Sequence, residues 1–113
     1  VAVTAHATGT QTATINTEHT LDDVALAGVF VLEVDTNNLA SGDTLELRLY
    51  VITLTGGTRR VAYYDLFNGA QTDPIKISVP VPNELTDAGS VRATLKQTAG
   101  TGRSFPWKVL SLG

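Results

Sequence analysis

The residues of this chain that could do chemistry are few, and their spacing argues against a reaction centre. There is no cysteine, which excludes disulfides, thiol nucleophiles and thiolate metal sites. Serines stand at 41, 78, 90, 104 and 111, and none lies in a G-x-S-x-G elbow. His6 and His19 are the only imidazoles. They are thirteen residues apart, outside the compact spacings of zinc sites. Asp22-Asp23 lacks the oxygen-rich loop pattern of a calcium site. Glu33, Asp35, Asp43 and Glu46 would have to supply the acid pair of a glycoside hydrolase, but they fall on alternating polar positions where solvation is the default. Gly100-Thr101-Gly102 has neither the Lys-Ser/Thr nor the strand-to-helix setting of a phosphate loop, and reads as a turn. The expectation is a protein that is not an enzyme and uses no cofactor or metal. A small hydrolase is the weakest of the readings considered.

Two aromatic groups carry more information. The run from Arg59 to Phe67 alternates, placing Arg59, Tyr63 and Phe67 on one face and Arg60, Tyr64 and Leu66 on the other. One face belongs to the core. The other is a contact patch, since Tyr and Arg are enriched at interface centres, or a surface that stacks against a sugar ring. Trp107, between Phe105 and Lys108, reads as a core anchor of the last strand. The candidate interface residues are Val1, Val3, Arg59, Arg60, Tyr63 and Tyr64.

The elements that must position these groups are strands. Phe30, Leu32 and Val34 alternate with Glu33 and Asp35. Leu45, Leu47, Leu49 and Val51 alternate with Glu46, Arg48 and Tyr50. Both are the period of two expected of half-buried strands. Gly56-Gly57 predicts a tight hairpin with a primed turn between residues 43–54 and 58–67. Ile75, Ile77, Val79 and Val81 form one face of a further strand, with Lys76, Ser78, Pro80 and Pro82 opposite. The prolines, lacking amide donors, place that strand at an edge. Ser90–Gln97, a turn at Thr98–Gly102 and Arg103–Val109 read as a carboxy-terminal hairpin. Asn16–Asp23 reads as a connection, with Asp22-Asp23-Val24-Ala25-Leu26 starting a single helical turn. Another short helical turn falls within Asn83–Gly89. Seven of the 17 threonines precede Leu21, and with the small residues around them they make residues 1–15 an edge strand or an extended arm. If this arm orders only on assembly, deleting residues 1–12 leaves the melting temperature nearly unchanged.

The chain of 113 residues reads as one all-β domain, an antiparallel sandwich of about seven or eight strands. Charged residues make up only 17%, against roughly 25% in ordinary soluble chains, and interface cores lose charge in the same way. Net charge is −3 and the longest basic run is Arg59-Arg60. Nucleic acid and anionic membranes are therefore not expected partners. No apolar run is long enough to span a bilayer.

Thr17–Thr20, the segment Gly56–Tyr63 and the end Leu95–Val109 resemble small structural proteins of tailed-phage genomes, the head decoration proteins called cement or staple proteins. The likeness runs from about Thr17 onward and rests on structural motifs. It implies a jelly-roll β-sandwich on the outer surface of a capsid head, clamping neighbouring major capsid subunits as a homo-oligomer, dimer or trimer. The alternative is a carbohydrate- or receptor-binding β-module of a phage tail.

Overall fold

A computed structural model describes residues 2–112. Nine strands form: β1 (Thr4–Thr12), β2 (Glu18–Val24), β3 (Gly28–Asp35), β4 (Thr44–Ile52), β5 (Arg59–Asn68), β6 (Ile75–Ile77), β7 (Val81–Asn83), β8 (Val91–Ala99) and β9 (Ser104–Ser111). One sheet has the order β1-β9-β3-β6, with β7 also on β3. The other has the order β2-β8-β4-β5. All pairings are antiparallel. β6 and β7 are two pieces of one edge strand, so the sandwich has eight strand positions. Their order is that of a jelly roll.

The alternation explains the core. Phe30, Leu32 and Val34 of β3 face Leu45, Leu47 and Leu49 of β4, and Val91, Ala93 and Leu95 of β8 join Phe105 and Val109 of β9 between the sheets. All are buried. Each large side chain here contributes roughly 1.5–3 kcal/mol relative to exposure, which is what offsets the ordering of so many β-branched and threonine-rich segments.

The carboxy-terminal hairpin expected from the sequence does not form. β8 pairs with β2 and β4, and β9 pairs with β1 and β3. The turn between them therefore crosses from one sheet to the other. A period of two shows that each segment is a strand, but it does not name the partner. Buried polar groups hold this crossing. Gln97 is fully buried; its Nε2 donates to the carbonyls of Ala99 (3.0 Å) and Thr101 (2.7 Å), and its Oε1 accepts from the Arg103 amide (3.0 Å). The Asp43 carboxylate accepts from the Ala40 amide (2.9 Å), the Thr101 amide (3.1 Å) and Arg103 Nε (2.8 Å). Gly100 sits in this knot with φ +87°, and a Cβ there would overlap Asp43 Oδ1. Gly100→Ala is expected to cost at least about 2 kcal/mol, from left-handed strain plus the displaced carboxylate. A urea titration measures it, and a cost under half that value contradicts the packing described.

Other expectations meet mixed outcomes. The β4–β5 hairpin is present. Its link is six residues long, and its turn is closed by the Gly57 amide on the Leu54 carbonyl at 2.8 Å. Only Gly56 has a left-handed φ there, +78°, so the turn is not a primed one. Residues 18–24 are strand β2, not a connection or helical turn, and no helix occurs among the described residues. β2 is an edge strand with only His19, Leu21 and Asp22 partly covered before Val24, so its sequence shows little apolar period. The edge position of the proline-bearing segment holds, but the expected faces do not run through it: Val81 is in the core and Pro82 is exposed, whereas the alternation is opposite from Ile75 to Val79. Ser78 is buried, while Ile75, Ile77 and Val79 are 48%, 59% and 56% exposed. The reason is hydrogen bonding: Ser78 Oγ accepts the Leu32 amide at 2.9 Å, and the Ser78 amide donates to the Leu32 carbonyl at 2.8 Å. This seals the edge of β3 in the gap between β6 and β7.

Candidate functional site

β5 carries four of the six candidate interface residues, and its register decides where they point. Antiparallel cross-strand partners share a face. Tyr63, Asp65 and Phe67 lie opposite Leu49, Leu47 and Leu45, on the core side. Tyr64 and Leu66 lie opposite Arg48 and Glu46, on the outside. A register shift leaves Ala62 as a bulge, so Val61 faces Tyr50 and Arg59 faces Ile52, also outside, while Arg60 faces Val51 on the core side. The strict alternation read from the sequence is thus broken at Ala62. Arg59 joins Tyr64 on the outer face, and Arg60 shares the inner parity with Tyr63 and Phe67. Tyr63 and Phe67 pack against the core. Val3 is 60% exposed and precedes β1, at the opposite side of the sandwich from β5. Val1 lies outside the described residues. The candidate residues therefore do not make one patch.

The outer face of the four-stranded sheet holds a shallow depression of about 370 Å³ lined by Glu18, Thr20, Tyr50, Arg59, Arg92 and Thr94. Its polar groups satisfy one another. Tyr50 and Thr94 hydroxyls donate to Glu18 Oε2 at 2.5 and 2.7 Å. Arg92 binds both carboxylate oxygens of Asp23, at 2.6 and 3.1 Å. Arg59 Nε donates to the Gly89 carbonyl at 3.1 Å. Burial alone would raise the Glu18 pKa, but the two hydroxyls and the nearby Arg48 and Lys96 outweigh it and hold the carboxyl below its ordinary value. Burial first, then the hydrogen bond to Glu18 and the charge of that carboxylate, pushes the Tyr50 hydroxyl up. The Arg48 guanidinium lies 4.7 Å over the Tyr64 ring.

The chemically capable side chains are scattered. His6 Nδ1 is 2.7 Å from Asp22 Oδ2, a contact between β1 and β2 that joins the two sheets. His19 Nε2 accepts the Thr14 amide at 3.0 Å. No serine hydroxyl is hydrogen-bonded to either ring among the described residues. Of the four carboxylates weighed as an acid pair, Asp43 is buried in the crossing, Glu33 and Asp35 belong to the outer face of the five-stranded sheet, and Glu46 to that of the other. Glu33 and Asp35 alone share a groove, on the outer face of the five-stranded sheet, and neither Asp43 nor Glu46 reaches it. Among the described residues no group of three or more His, Asp or Glu is placed to hold a metal ion. No protein-family model, curated protein or solved structure matches this chain. The surface must therefore be read on its own physics.

That surface is unevenly apolar. Val61, Tyr64 and Leu66 of β5 are 50%, 47% and 38% exposed. Ile75 and Ile77 of β6 and the following Val79 are exposed on the other sheet. β5 and β6 end their sheets on the same side, where Lys76 Nζ reaches to 5.1 Å from the Phe67 ring centre and closes the gap. Ile75 also borders a groove of about 520 Å³ that crosses the outer face of the five-stranded sheet past Glu33, Asp35, Pro106 and Thr10. Sequence reasoning did not single out the isoleucines as surface residues, because it grouped them with Val81 on one face of a continuous strand. It also missed Gln97, although Gln97 continues the inward series Val91, Ala93 and Leu95, and that parity was the available signal.

Proposed function

We propose that this chain is a non-enzymatic virion protein that decorates the outer surface of a phage capsid head, binding major capsid subunits and further copies of itself. The observation that supports this reading most is the concentration of exposed apolar side chains along one long side of the sandwich, Val61 to Leu66 on one sheet and Ile75 to Val79 beyond the other. The two groups lie on the outer faces of opposite sheets and flank the side on which β5 and β6 end them, so a partner that grips this side covers both. The low charge content points the same way. On a repeating lattice many modest contacts act together, so no single interface has to be strong.

A carbohydrate-binding module of a tail has less support. The depression on the four-stranded sheet has the polar residues such a site uses, but Glu18, Arg59 and Arg92 are already engaged by neighbours. One face of the Tyr64 ring is occupied by Arg48.

Gel densitometry of purified particles against the major capsid band tests the reading. The expected result is on the order of hundreds of copies per particle, the number that lattice-wide repetition implies. A handful of copies per particle would place the protein on a tail instead. In particle-binding assays, the variant carrying Ile75→Lys and Ile77→Lys, whose new charges sit opposite Asp35 and Glu33, is expected to lose at least about tenfold in affinity. Its melting temperature should stay close to wild type, because neither side chain is in the core. Unchanged affinity removes these isoleucines from the contact.

A further inference from the structure

We propose that the free edge of β5 pairs with β5 of a second copy, antiparallel about a two-fold axis between Ala62 and Tyr63, so that Arg60 of each copy meets Asp65 of the other. This deepens the self-association part of the proposed function and rests on that reading only for its biological setting.

β5 is ten residues long, contains no proline and is paired on one side only, to β4. Such an edge is a template for another strand unless something blunts it. The other edges are worse templates for a second copy. β6 and β7 are three residues each, interrupted at Ser78 and followed by Pro80 and Pro82. β2 carries Glu18, Asp22 and Asp23 and no lysine or arginine, so self-pairing would gather like charges. β1 offers only small and polar side chains.

The bulge at Ala62 makes the two-fold register specific. In a regular strand, residues three apart point to opposite faces and cannot meet across a two-fold ladder. Here Val61 and Tyr64 lie opposite Tyr50 and Arg48, two residues apart on β4. Both are outward, and both present their backbone groups in the same phase. The proposed register sets Val61 against Tyr64, Arg59 against Leu66 and Arg60 against Asp65, each twice. Outward side chains meet outward ones, and the one charge pairing is between opposite signs. A slip of one residue sets Arg60 against Tyr64 or Leu66, an inward side chain against outward ones. A slip of two sets it against Tyr63 or Phe67. Bulges and charges commonly protect edges from indiscriminate pairing; here they reject the slipped registers and leave one closed, isologous contact. Pairing joins the two four-stranded sheets into one and covers the exposed faces of Val61, Tyr64 and Leu66.

The test needs no particle, so its failure is separate from failure of capsid binding. Sedimentation equilibrium of the wild-type protein is expected to show a dimer. Arg60→Asp or Asp65→Arg alone places like charges across the axis twice and should weaken the dimer at least about tenfold, while the variant carrying both should return to within a few-fold of wild type. Because the chain has no cysteine, register is read directly: a mixture of Val61→Cys and Tyr64→Cys proteins should oxidise to the mixed disulfide faster than either protein forms its own. A wild-type monomer up to about 1 mM, a double swap that fails to restore dimer, or faster self-crosslinking of Val61→Cys each overturns the pairing. A dimer indifferent to all three charge variants uses another surface and overturns it equally.

Discussion

Replacing Asp43 with alanine is expected to destabilise the domain by about 3 kcal/mol, the loss of two amide bonds to a buried carboxylate plus part of an ion pair. The Asp43 side chain is 1% exposed, and its Arg103 partner is 35% exposed. The amides of Ala40 and Thr101 lose their acceptor outright. The guanidinium, reachable by water, recovers much of its solvation, so its share is discounted. On a domain of this size about 3 kcal/mol lowers the melting temperature by roughly 10–15 °C. Asparagine is no remedy, because it turns an NH₂ group toward a site that already has three donors. The same carboxylate adds an acid limb. Burial alone would raise its pKa, but the Ala40 amide, Arg103 and the Thr101 amide overcome that and hold it below the ordinary 3.8. A carboxyl lowered on folding contributes stability in full above its unfolded value and loses it as pH falls through the folded one. Wild type should therefore lose stability below about pH 4, and Asp43→Ala should lose less over the same interval. Parallel acid limbs in wild type and variant would show that Asp43 is not a source of the effect.

Deleting residues 1–12 is expected to be as damaging, roughly 3–5 kcal/mol or outright loss of the cooperative transition, from the uncovered aromatic surface and the lost ladder. β1 is an edge strand in register with β9 from Thr4 opposite Ser111 to Thr12 opposite Ser104. The Trp107 indole lies against Gly9. His6 packs edge-on to Phe30 at 5.8 Å between ring centres and reaches Asp22. Truncation would turn β9 into a bare edge and uncover the only tryptophan. Thermal melting by circular dichroism and the Trp107 emission maximum measure the two consequences separately. This reverses the outcome expected of an arm that orders only on assembly. A truncated protein that melts with the wild type would restore the arm reading.

Small side chains left the segment of β1 open between an edge strand and an arm, and it is the edge strand. Its stability comes from backbone bonds to β9 and from the ring above Gly9, and neither is written in apolar period. Where one face is plainly apolar the reading was sound. β3 and β4 were legible residue by residue, because alternation along a half-buried strand is local. The interface candidates were legible in type but not in arrangement. Tyr63 and Tyr64 stand out by composition, yet which ring faces outward depends on the parity of the ladder.

Taken alone, the sequence determined an all-β sandwich, the place of its best strands, the edge position of the proline-bearing segment, and a set of reactive side chains with no convergent spacing. Only the tertiary structure decided that β8 and β9 part company into different sheets, that Ile75 and Ile77 face out while Ser78 faces in, and that Ala62 bulges so that the faces of β5 change parity midway. The physical reason is the same in each case. Side-chain period is a property of neighbouring residues, whereas pairing partners and register are chosen by distant strands, and a shift of one residue exchanges the two faces.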